Sequence, residues 1–412
     1  MSQRHAVTKK MATAYKRATK SEKTAILDSL VELTGWHRDH ARHALKGAGT
    51  IKLVVPRRPR PPTYGPHLTT ALVLLWTLSR CPAGKRLGPM LGVLVVILRR
   101  DGDLTLSDAD AVLLTSMSAA TIDRHLGPER ARLGMRGRSH TKPGTLLKSQ
   151  IPIRTWAEWT EDRPGFVEID LVGHEGGNSS GEFCFTLTMT DISTGWTVNR
   201  SVKNKAAVWV VEAIEEATRQ FPFPIVGIDS DNGAEFINAH LFDYCQSRKI
   251  TFTRSRSGNK NDGAHVEQKN WTHVRQLVGY LRFDTEQELD LLNRIWSLDG
   301  TFTNYLLAQQ KLVMKQRHGA KVTKRYDHAQ TPFTRALAHP EVTDVTRNRM
   351  NEAFDELHMA ALHDQIERLL AELEHYSLNK GLAPIRRVNR SFTRPLHPEV
   401  LDEATIQASR RI

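Results

Sequence analysis

A buried strand that ends in acidic residues is the feature that most restricts how this sequence can fold. The apolar run FPFPIVGI, residues 221–228, predicts the strand, which leads into Asp229 and Asp231 before an Asn232-Gly233 turn. Acidic side chains beside a buried strand are costly unless a cation or a hydrogen-bond network compensates them. We therefore expect such a partner at this strand end.

The segment around this strand alternates predicted strands and helices. Over residues 182–192, four apolar side chains alternate with threonines, which is the period-2 pattern of a strand. Further strands are predicted at 165–172, 196–202, 224–229 and 250–255, and helices at 205–220, 235–248 and about 263–280. Their order, βββαβαβα, predicts an α/β domain within residues 155–300.

The formal net charge of the 412 residues is +13, and most of this excess lies near the N-terminus. Residues 1–66 contain 14 Lys and Arg against 4 Asp and Glu. A focused basic region favours a polyanionic partner, and nucleic acid is the commonest. A basic surface that only aids solubility is the alternative.

Neither a membrane span nor a cysteine framework is predicted. The longest apolar run, residues 90–98, is about half of what a membrane span needs, and the N-terminus lacks the apolar core of a signal peptide. Three cysteines without CxxC spacing suggest neither disulfides nor a zinc site. We expect a cytoplasmic protein that associates with the nucleoid when bound to DNA.

Residues 1–55 predict a helix-turn-helix DNA-binding domain. Ser21 is expected to cap a helix that breaks at Gly35, and a second helix follows. Two helices around a Gly-containing turn are typical of this motif, and Arg38 and Arg42 on the second helix would contact DNA. A helical hairpin without a DNA role has the same periodicity.

Two further segments precede the α/β domain. The basic, proline-rich residues 56–66 predict an extended linker, in which Arg57 and Arg58 either follow DNA or are only solvated. Residues 67–150 predict helices, the last of them capped by Ser118 and followed by a basic tail. This pattern indicates a second helical DNA-binding module, and a plain helical spacer is the alternative.

Three acidic residues come from separate predicted elements of the α/β domain. Asp170 lies within the first strand, Asp231 follows the fourth, and Glu267 lies in the first turns of the last helix. Carboxylates are ligands for hard cations such as Mg²⁺, which also binds water and substrate phosphate oxygens. Two such ions about 4 Å apart support an in-line phosphoryl displacement.

At these residues the sequence resembles the retroviral-integrase-like DDE transposases of bacterial insertion sequences. The blocks that carry the resemblance are EID with Asp170, DISTGW at 191–196, DSDNGAEF with Asp231, and RSRSGNKNDGAHVEQKN, which contains Glu267. They occur in the family's order, with its 35-residue gap between the second and third acids. The resemblance covers residues 160–290 well.

The resemblance implies an RNase H-like fold with a mixed five-stranded sheet, between helix-turn-helix modules and a basic, helical region at 301–412. It implies that Asp170, Asp231 and Glu267 form the catalytic and metal-binding triad, with two Mg²⁺ ions per site that Mn²⁺ can replace. Asp229 would then be no more than an indirect support of the metal site. The zinc module of retroviral integrases is missing here, and helix-turn-helix modules take its place.

The implied activity is DNA transposition. Hydrolysis at the element end frees a 3′-OH, which then attacks a target phosphodiester, and no protein nucleophile is needed. The partners would be double-stranded DNA, as terminal inverted repeats and as target, and further copies of the chain, because two ends must be held together. The alternatives are a metal-dependent RNase H-like nuclease without strand transfer and a catalytically silent DNA-binding regulator.

Further DNA contacts are expected around the last acidic residue of the triad. Polar and basic side chains there would position the phosphate backbone rather than read bases, although each could instead be a solvated charge. The candidates are Lys260, Asn261, Lys269, His273 and Arg275. His174, four residues after Asp170, is a weaker candidate for contact with substrate.

The last hundred residues match the family only loosely. KQRHGAKVTKRY, residues 315–326, predicts a basic DNA-binding surface. The helical residues 348–376 carry an apolar stripe that either joins protomers or packs on the same chain.

Overall fold

The computed structural model describes residues 2–48, 63–133, 163–230, 233, 235–254, 269–318 and 321–380. The chain divides into two compact units, residues 1–63 and 64–412. Asp231, Glu267 and most of the predicted linker therefore lie outside the described residues. None of the described helices is long and apolar enough to cross a membrane.

The first unit is built from three helices around a small apolar core. The helices are α1 (Ser2–Arg17), α2 (Lys20–Thr34) and α3 (Arg38–Gly47). Their buried side chains are those of Ala12, Tyr15, Leu27, Leu30, Ala41 and Leu45. The sequence did not predict α1 because this helix contributes only two apolar side chains to that core.

The boundaries of α2 and α3 partly correct the sequence prediction. Thr19, not Ser21, is the N-cap of α2: its backbone N–H donates to the Glu22 carboxylate at 2.7 Å and its hydroxyl to the same oxygen at 2.8 Å. Gly35 ends α2 as predicted, with a left-handed φ of 68° and its N–H on the Val31 carbonyl at 2.8 Å. The next helix, α3, begins at Arg38.

The second unit begins with a helical segment. Its helices are α4 (Pro66–Leu78), α5 (Gly84–Leu87), α6 (Leu91–Asp101), α7 (Asp108–Thr115), α8 (Ala119–His125) and α9 (Gly127–Arg132), with a 3₁₀ turn at Gly88–Met90. Ser118 caps α8 as predicted, since its hydroxyl accepts the Thr121 N–H at 3.3 Å. The apolar side chains of this segment and those of the sheet form one continuous core.

The central sheet has five strands in the order β3-β2-β1-β4-β5. The strands are β1 (Phe166–Gly173), β2 (Phe185–Asp191), β3 (Thr197–Val202), β4 (Gly227–Ser230) and β5 (Thr251–Arg254). β1, β2 and β3 pair antiparallel, whereas β4 pairs parallel with β1 and with β5. The predicted mixed five-stranded sheet is therefore confirmed.

Helices follow the strands in the predicted order. α10 (Ala207–Thr218) precedes β4, α11 (Ala239–Ser247) precedes β5, and a π-helical turn at Asn270–Arg275 leads into α12 (Gln276–Val278). α13 (Glu286–Leu306) crosses the sheet next. This arrangement confirms the order βββαβαβα within residues 160–300.

The two faces of the sheet carry different side chains, and both are buried. Val167, Ile169, Leu187, Met189, Val198 and Ile228 share one face, and Thr186, Thr188, Thr190, Thr197, Asn199 and Ser201 share the other with Glu168, Asp170 and Asp229. We call these the apolar face and the polar face. Glu216 of α10 pairs with Arg200 on the apolar side at 2.5 Å. Trp296 of α13 donates its Nε1–H to the Ser201 hydroxyl on the polar side at 2.7 Å.

Two asparagines of α13 cover the outer edge of β3. The Asn304 side chain accepts the Thr197 N–H at 2.9 Å and donates to the Thr197 carbonyl at 2.8 Å. Asn293 makes the same pair of bonds to Ser201, at 2.7 and 3.1 Å. Each side-chain amide makes the two hydrogen bonds that a residue of a neighbouring strand would make to β3. The backbone groups at these two positions of the edge are therefore satisfied by side chains.

The last part of the second unit combines a hairpin with three helices. β6 (Leu312–His318) and β7 (Lys321–Tyr326) form a separate two-stranded antiparallel sheet. The helices are α14 (Pro332–Ala338), α15 (Asp344–Asp355) and α16 (Met359–Leu378). α16 packs on α13 and α4, and its buried Leu369, Leu370 and Leu373 belong to the common core, so much of the predicted stripe packs on the same chain.

Candidate active site

Asp170 lies near the end of β1 on the polar face. Its Oδ1 accepts the Leu171 N–H at 2.8 Å, and its Oδ2 accepts the Asn270 side-chain amide at 2.5 Å. Thr188 of β2 is its cross-strand neighbour. These contacts hold a half-buried carboxylate in a defined orientation, where it can still accept a cation or solvent.

The chain segments next to the other two predicted acids meet at Asp170. In the parallel pairing of β1 and β4, Ser230 lies opposite Ile169, the residue before Asp170. Asn270, whose amide contacts Asp170, lies three residues after Glu267 in the sequence. Asp231 and Glu267 themselves lie outside the described residues, so the predicted triad stays a prediction.

Two further acids are buried beside Asp170. Asp229 lies opposite Glu168 in the β1–β4 pairing, and Asp229 accepts the Thr253 hydroxyl at 2.6 Å. Both carboxylates are almost fully buried. Glu168 belongs to the EID block but received no role from the sequence, although its position two residues before Asp170 on the same strand face signals it.

Asn270 is the site residue that sequence reasoning missed. Its Nδ2 donates to Asp170, while its Oδ1 is buried and has no hydrogen-bond partner within the described ranges. Its position three residues after Glu267 is the usable signal, since residues three apart share a helix face. A buried amide oxygen beside a carboxylate is a donor set that suits a hard cation.

Lys269 and His273 lie in the interior rather than on the surface. The Lys269 ammonium donates to the Gly195 carbonyl at 3.3 Å and to the Gln309 side chain, and its Nζ lies 3.5 Å from His273 Nε2. Burial, with Arg335 and Arg86 adding to it, lowers the pKa of Lys269 to about 7. Burial, followed by the charges of Lys269 and Arg80, lowers the pKa of His273 well below its usual value.

These positions bear on the predicted DNA contacts. Lys269 and His273 are buried, so they meet phosphate only after a rearrangement. Arg275 is half-buried: it donates to the Gly173 carbonyl at 2.7 Å, and its guanidinium stacks on Tyr280 at 4.6 Å from the ring centroid. In this conformation Arg275 ties its helix to the end of β1.

The remaining predicted DNA contacts lie elsewhere or outside the described residues. Arg38 and Arg42 are partly exposed on α3 and pair with Asp28 and Asp39, respectively. The others, Arg57, Arg58, Lys260 and Asn261, lie outside the described part of the chain. Contact of any of these residues with DNA stays a prediction.

His174 belongs to the interior. It is fully buried, and its Nε2 lies 2.7 Å from the Thr186 hydroxyl, which in turn lies 2.8 Å from the Ser201 hydroxyl. Burial, with Arg275 adding to it, lowers the pKa of His174 well below its usual value. A neutral, buried imidazole of this kind supports the polar face from within and does not face substrate.

The DISTGW block shapes a turn rather than a catalytic group. Asp191 is fully buried; its Oδ1 accepts the Gly165 N–H at 2.8 Å, and its Oδ2 accepts the Thr194 N–H and hydroxyl, both at 2.7 Å. Burial raises the pKa of Asp191 to about 6 against the effect of these bonds. Gly195 completes the turn with a left-handed φ of 77°.

The residues around Asp170 fit a hard cation better than a soft one. Carboxylate and amide oxygens line this end of the sheet, and the described cysteines lie elsewhere, Cys184 and Cys245 buried in the apolar core. No group of three or more potential metal ligands occurs among the described residues, which do not include Asp231 and Glu267.

Comparisons with known proteins identify the domain that holds Asp170. Residues 161–260 match the model of the integrase core domain. The uncharacterized protein y4rM of Sinorhizobium fredii is 38% identical over 330 residues, which is 78% of this chain and 91% of that protein.

Several solved structures are also similar to this chain. The catalytic core domain of HTLV-2 integrase in complex with magnesium is 16% identical and aligns with 35% of this chain and 90% of its own, with a TM-score of 0.27. A simian T-cell lymphotropic virus intasome in complex with the PP2A regulatory subunit B56 gamma is 14% identical. It aligns with 61% of this chain and 76% of its own, with a TM-score of 0.32.

The family assignment rests on the matched domain and on the long alignment. The observed strand order agrees with the RNase H-like integrase core that the matched blocks imply. With 38% identity over most of both chains, this protein belongs to the family of y4rM, and its central domain is an RNase H-like integrase core.

Proposed function

We propose that the protein is a DNA transposase that cuts at the ends of an insertion sequence and joins the freed 3′-OH to target DNA. The observation that carries the proposal is the oriented carboxylate of Asp170, at the point where the chain segments next to Asp231 and Glu267 meet within an integrase core domain. The coarser conclusion, a polynucleotidyl-transferase type of enzyme that processes DNA, follows from the domain itself.

In this proposal Asp170, Asp231 and Glu267 hold two Mg²⁺ ions. When bound, such ions supply activation of the attacking oxygen and stabilisation of the leaving one. The protein's part is to fix the carboxylates: the Leu171 N–H and the Asn270 amide orient Asp170 through separate oxygens. Thr253 orients Asp229 behind it.

The chemistry consists of two displacements at phosphorus. In the first, water attacks the phosphodiester at the element end, and the bond between phosphorus and the 3′ oxygen breaks to leave a 3′-OH. In the second, that hydroxyl attacks a target phosphodiester, forms the new bond and releases a target 3′-OH. Neither step needs a covalent bond to the protein.

Recognition of the element ends falls to the N-terminal unit in this proposal. α2 and α3 are joined by a turn at Gly35, and α3 carries the partly exposed Arg38 and Arg42. This geometry suits a helix that enters the major groove. Because two ends must react together, we expect a homo-oligomer on DNA.

The decisive experiment uses purified protein, Mg²⁺ or Mn²⁺, and labelled DNA with the sequences that flank its own gene. An Asp231→Asn variant is the matched control, since it removes a charge without changing shape. Products joined to target DNA, absent with the variant, would establish strand transfer. Metal-dependent cutting without joining would indicate a nuclease, and binding without cutting would indicate a regulator.

A further inference from the structure

The hairpin formed by β6 and β7 is a two-stranded ribbon that concentrates positive charge. Residues 311–326 contain six Lys and Arg and no Asp or Glu. In the observed register, Lys315 is paired with Lys324 and Met314 with Arg325. Like charges directly opposite each other destabilise a strand pair, and an isolated two-stranded ribbon is marginal by itself. The excess of positive charge in this segment suits an anionic partner.

Much of the ribbon faces solvent. Gln316, Thr323, Lys324 and Arg325 are exposed, and the ribbon belongs to no larger sheet. With seven residues in the longer strand, the ribbon extends about 20 Å at the usual rise per residue. The major groove of DNA admits a two-stranded ribbon, and the flanking phosphates suit basic side chains.

The base of the ribbon is fixed firmly to the integrase core. Gln309 and Gln330 exchange backbone hydrogen bonds of 2.9 and 3.1 Å, so the two ends of the hairpin segment are held together. Asp327 accepts the Lys311 N–H at 2.7 Å and the Arg335 guanidinium at 2.6 Å. The Lys311 ammonium donates to the Ser193 carbonyl in the β2–β3 turn at 2.7 Å.

The same base is connected to the candidate active site. The Gln309 side chain accepts a hydrogen bond from the Lys269 ammonium. Asn270, which follows Lys269 in the sequence, donates to the Asp170 carboxylate. The ribbon is therefore attached to the polar face through a short chain of named contacts. DNA bound at the base of the ribbon would therefore lie near Asp170.

We propose that the β6–β7 ribbon is a DNA-binding arm that holds the backbone of duplex DNA next to Asp170. This proposal deepens the proposed function, on which it rests for the choice of duplex DNA as the polyanion. The competing explanation is that the basic residues only prevent edge-to-edge association of the strands, as charged residues on exposed edges commonly do. Edge protection requires charge of either sign, whereas DNA binding requires positive charge.

The test measures binding of a short labelled duplex by fluorescence anisotropy without divalent metal, over a range of salt concentrations. Lys324→Gln/Arg325→Gln should weaken binding on the order of tenfold and lower the slope of log K against log[salt] by about 1.8, since each phosphate contact contributes about 0.9. Lys324→Glu/Arg325→Glu should weaken binding further. The control is Arg349→Gln/Arg368→Gln, which removes the same charge from exposed positions on α15 and α16.

The outcomes separate this proposal from the proposed function. An equal loss in the ribbon and control variants, an unchanged affinity in the ribbon variants, or tighter binding of duplex RNA would each overturn the DNA-binding arm. If the wild type carries out strand transfer but the ribbon variants bind DNA normally, the proposed transposase function stands and the proposed DNA-binding arm is wrong. DNA binding that depends on the ribbon, without metal-dependent cutting, would support the DNA-binding arm and contradict the transposase.

Discussion

The polar and apolar faces of the central sheet are buried to a similar degree but are built for different tasks. On the apolar face, Leu187 and Met189 contact hydrophobic side chains, and their packing requires only matching volume. On the polar face, each buried threonine, asparagine or acid needs a partner in a particular place. The apolar face thus stabilises the domain, whereas the polar face sets the positions of groups around Asp170.

The difference shows that hydrophobic alternation does not by itself indicate which face of a strand is solvated. The threonines of β2 alternate with apolar residues, yet Thr186, Thr188 and Thr190 are as buried as Leu187. Thr186 and Thr190 lie within hydrogen-bond distance of the Ser201 and Thr197 hydroxyls of β3, and Trp296 of α13 donates to the same Ser201 hydroxyl. The polar face is therefore held together by hydrogen bonds between neighbouring strands and by one from α13.

The largest effect that this comparison predicts comes from Asp170→Asn on the polar face. Loss of the charge should reduce strand transfer by at least about 10³-fold, as for other residues of a catalytic group. The Asn270 amide would face another amide, so the melting temperature should move little. Product formation and thermal unfolding measured on the same sample check this, and a variant that keeps its activity would refute the assignment of Asp170.

On the apolar face, Leu187→Ala should have the opposite profile. The side chain is fully buried between hydrophobic neighbours, and its truncation should lower the free energy of unfolding by about 3 kcal/mol through lost burial and a cavity. Urea unfolding measures the loss. DNA cutting per folded molecule should remain near wild type, and a selective loss of cutting would break the division of roles between the faces.

Asp191 is a buried acid on the apolar side of the sheet, and it allows the cost of burying a charge there to be measured. Its folded-state pKa, near 6, lies above the usual value of 3.8, so the folded state binds the proton more tightly than the unfolded state. The stability contributed by this group is therefore greatest below pH 4 and falls, by on the order of 2 kcal/mol, as the pH rises to about 6.

The measurement is the free energy of unfolding from pH 4 to 7 for the wild type and for Asp191→Asn. The difference between the two should change over this window, because the variant lacks the titrating carboxyl. The substitution also alters the hydrogen bonds that the Asp191 carboxylate accepts from Thr194 and Gly165. Only the pH-dependent part of the stability difference therefore reports on the pKa of Asp191. A difference that is constant with pH would contradict the raised pKa.

Asn304→Ala should give the smallest change, about 1–2 kcal/mol, because it leaves the Thr197 N–H and carbonyl at the β3 edge without their partner. Hydrogen exchange at the Thr197 amide is the sharper readout and should accelerate. Asn293→Ala serves as the parallel case at Ser201. If neither amide exchanges faster, α13 does not hold this edge as inferred.

Much of the fold could be predicted from the sequence because its signals are local. Apolar runs and the Gly35 and Gly195 turns mark the strands and helices, and the acids beside them mark the site. The β6–β7 hairpin was missed because its strands are rich in basic residues and do not alternate apolar and polar side chains, the pattern on which strand prediction depends.

The surroundings of the site were harder to predict, because they depend on contacts between distant segments. Nothing near Lys269 in the sequence indicates that Gly195 and Gln309 enclose its ammonium, so a charged residue beside Glu267 suggested a surface contact. His174 was likewise considered for substrate contact, although it is fully buried and its Nε2 lies 2.7 Å from the Thr186 hydroxyl. Asn270 was missed although it lies three residues after Glu267, because its role depends on a contact with Asp170, which is 100 residues away in the sequence.

The covered edge of β3 also has a consequence for how copies of the chain assemble. Sheets often extend from one subunit to another by adding a strand at an open edge. Here Asn293 and Asn304 already occupy the backbone groups that a new strand would need. A second copy cannot join this sheet at β3 unless α13 first leaves, so strand addition between copies is left to the other edge strand, β5.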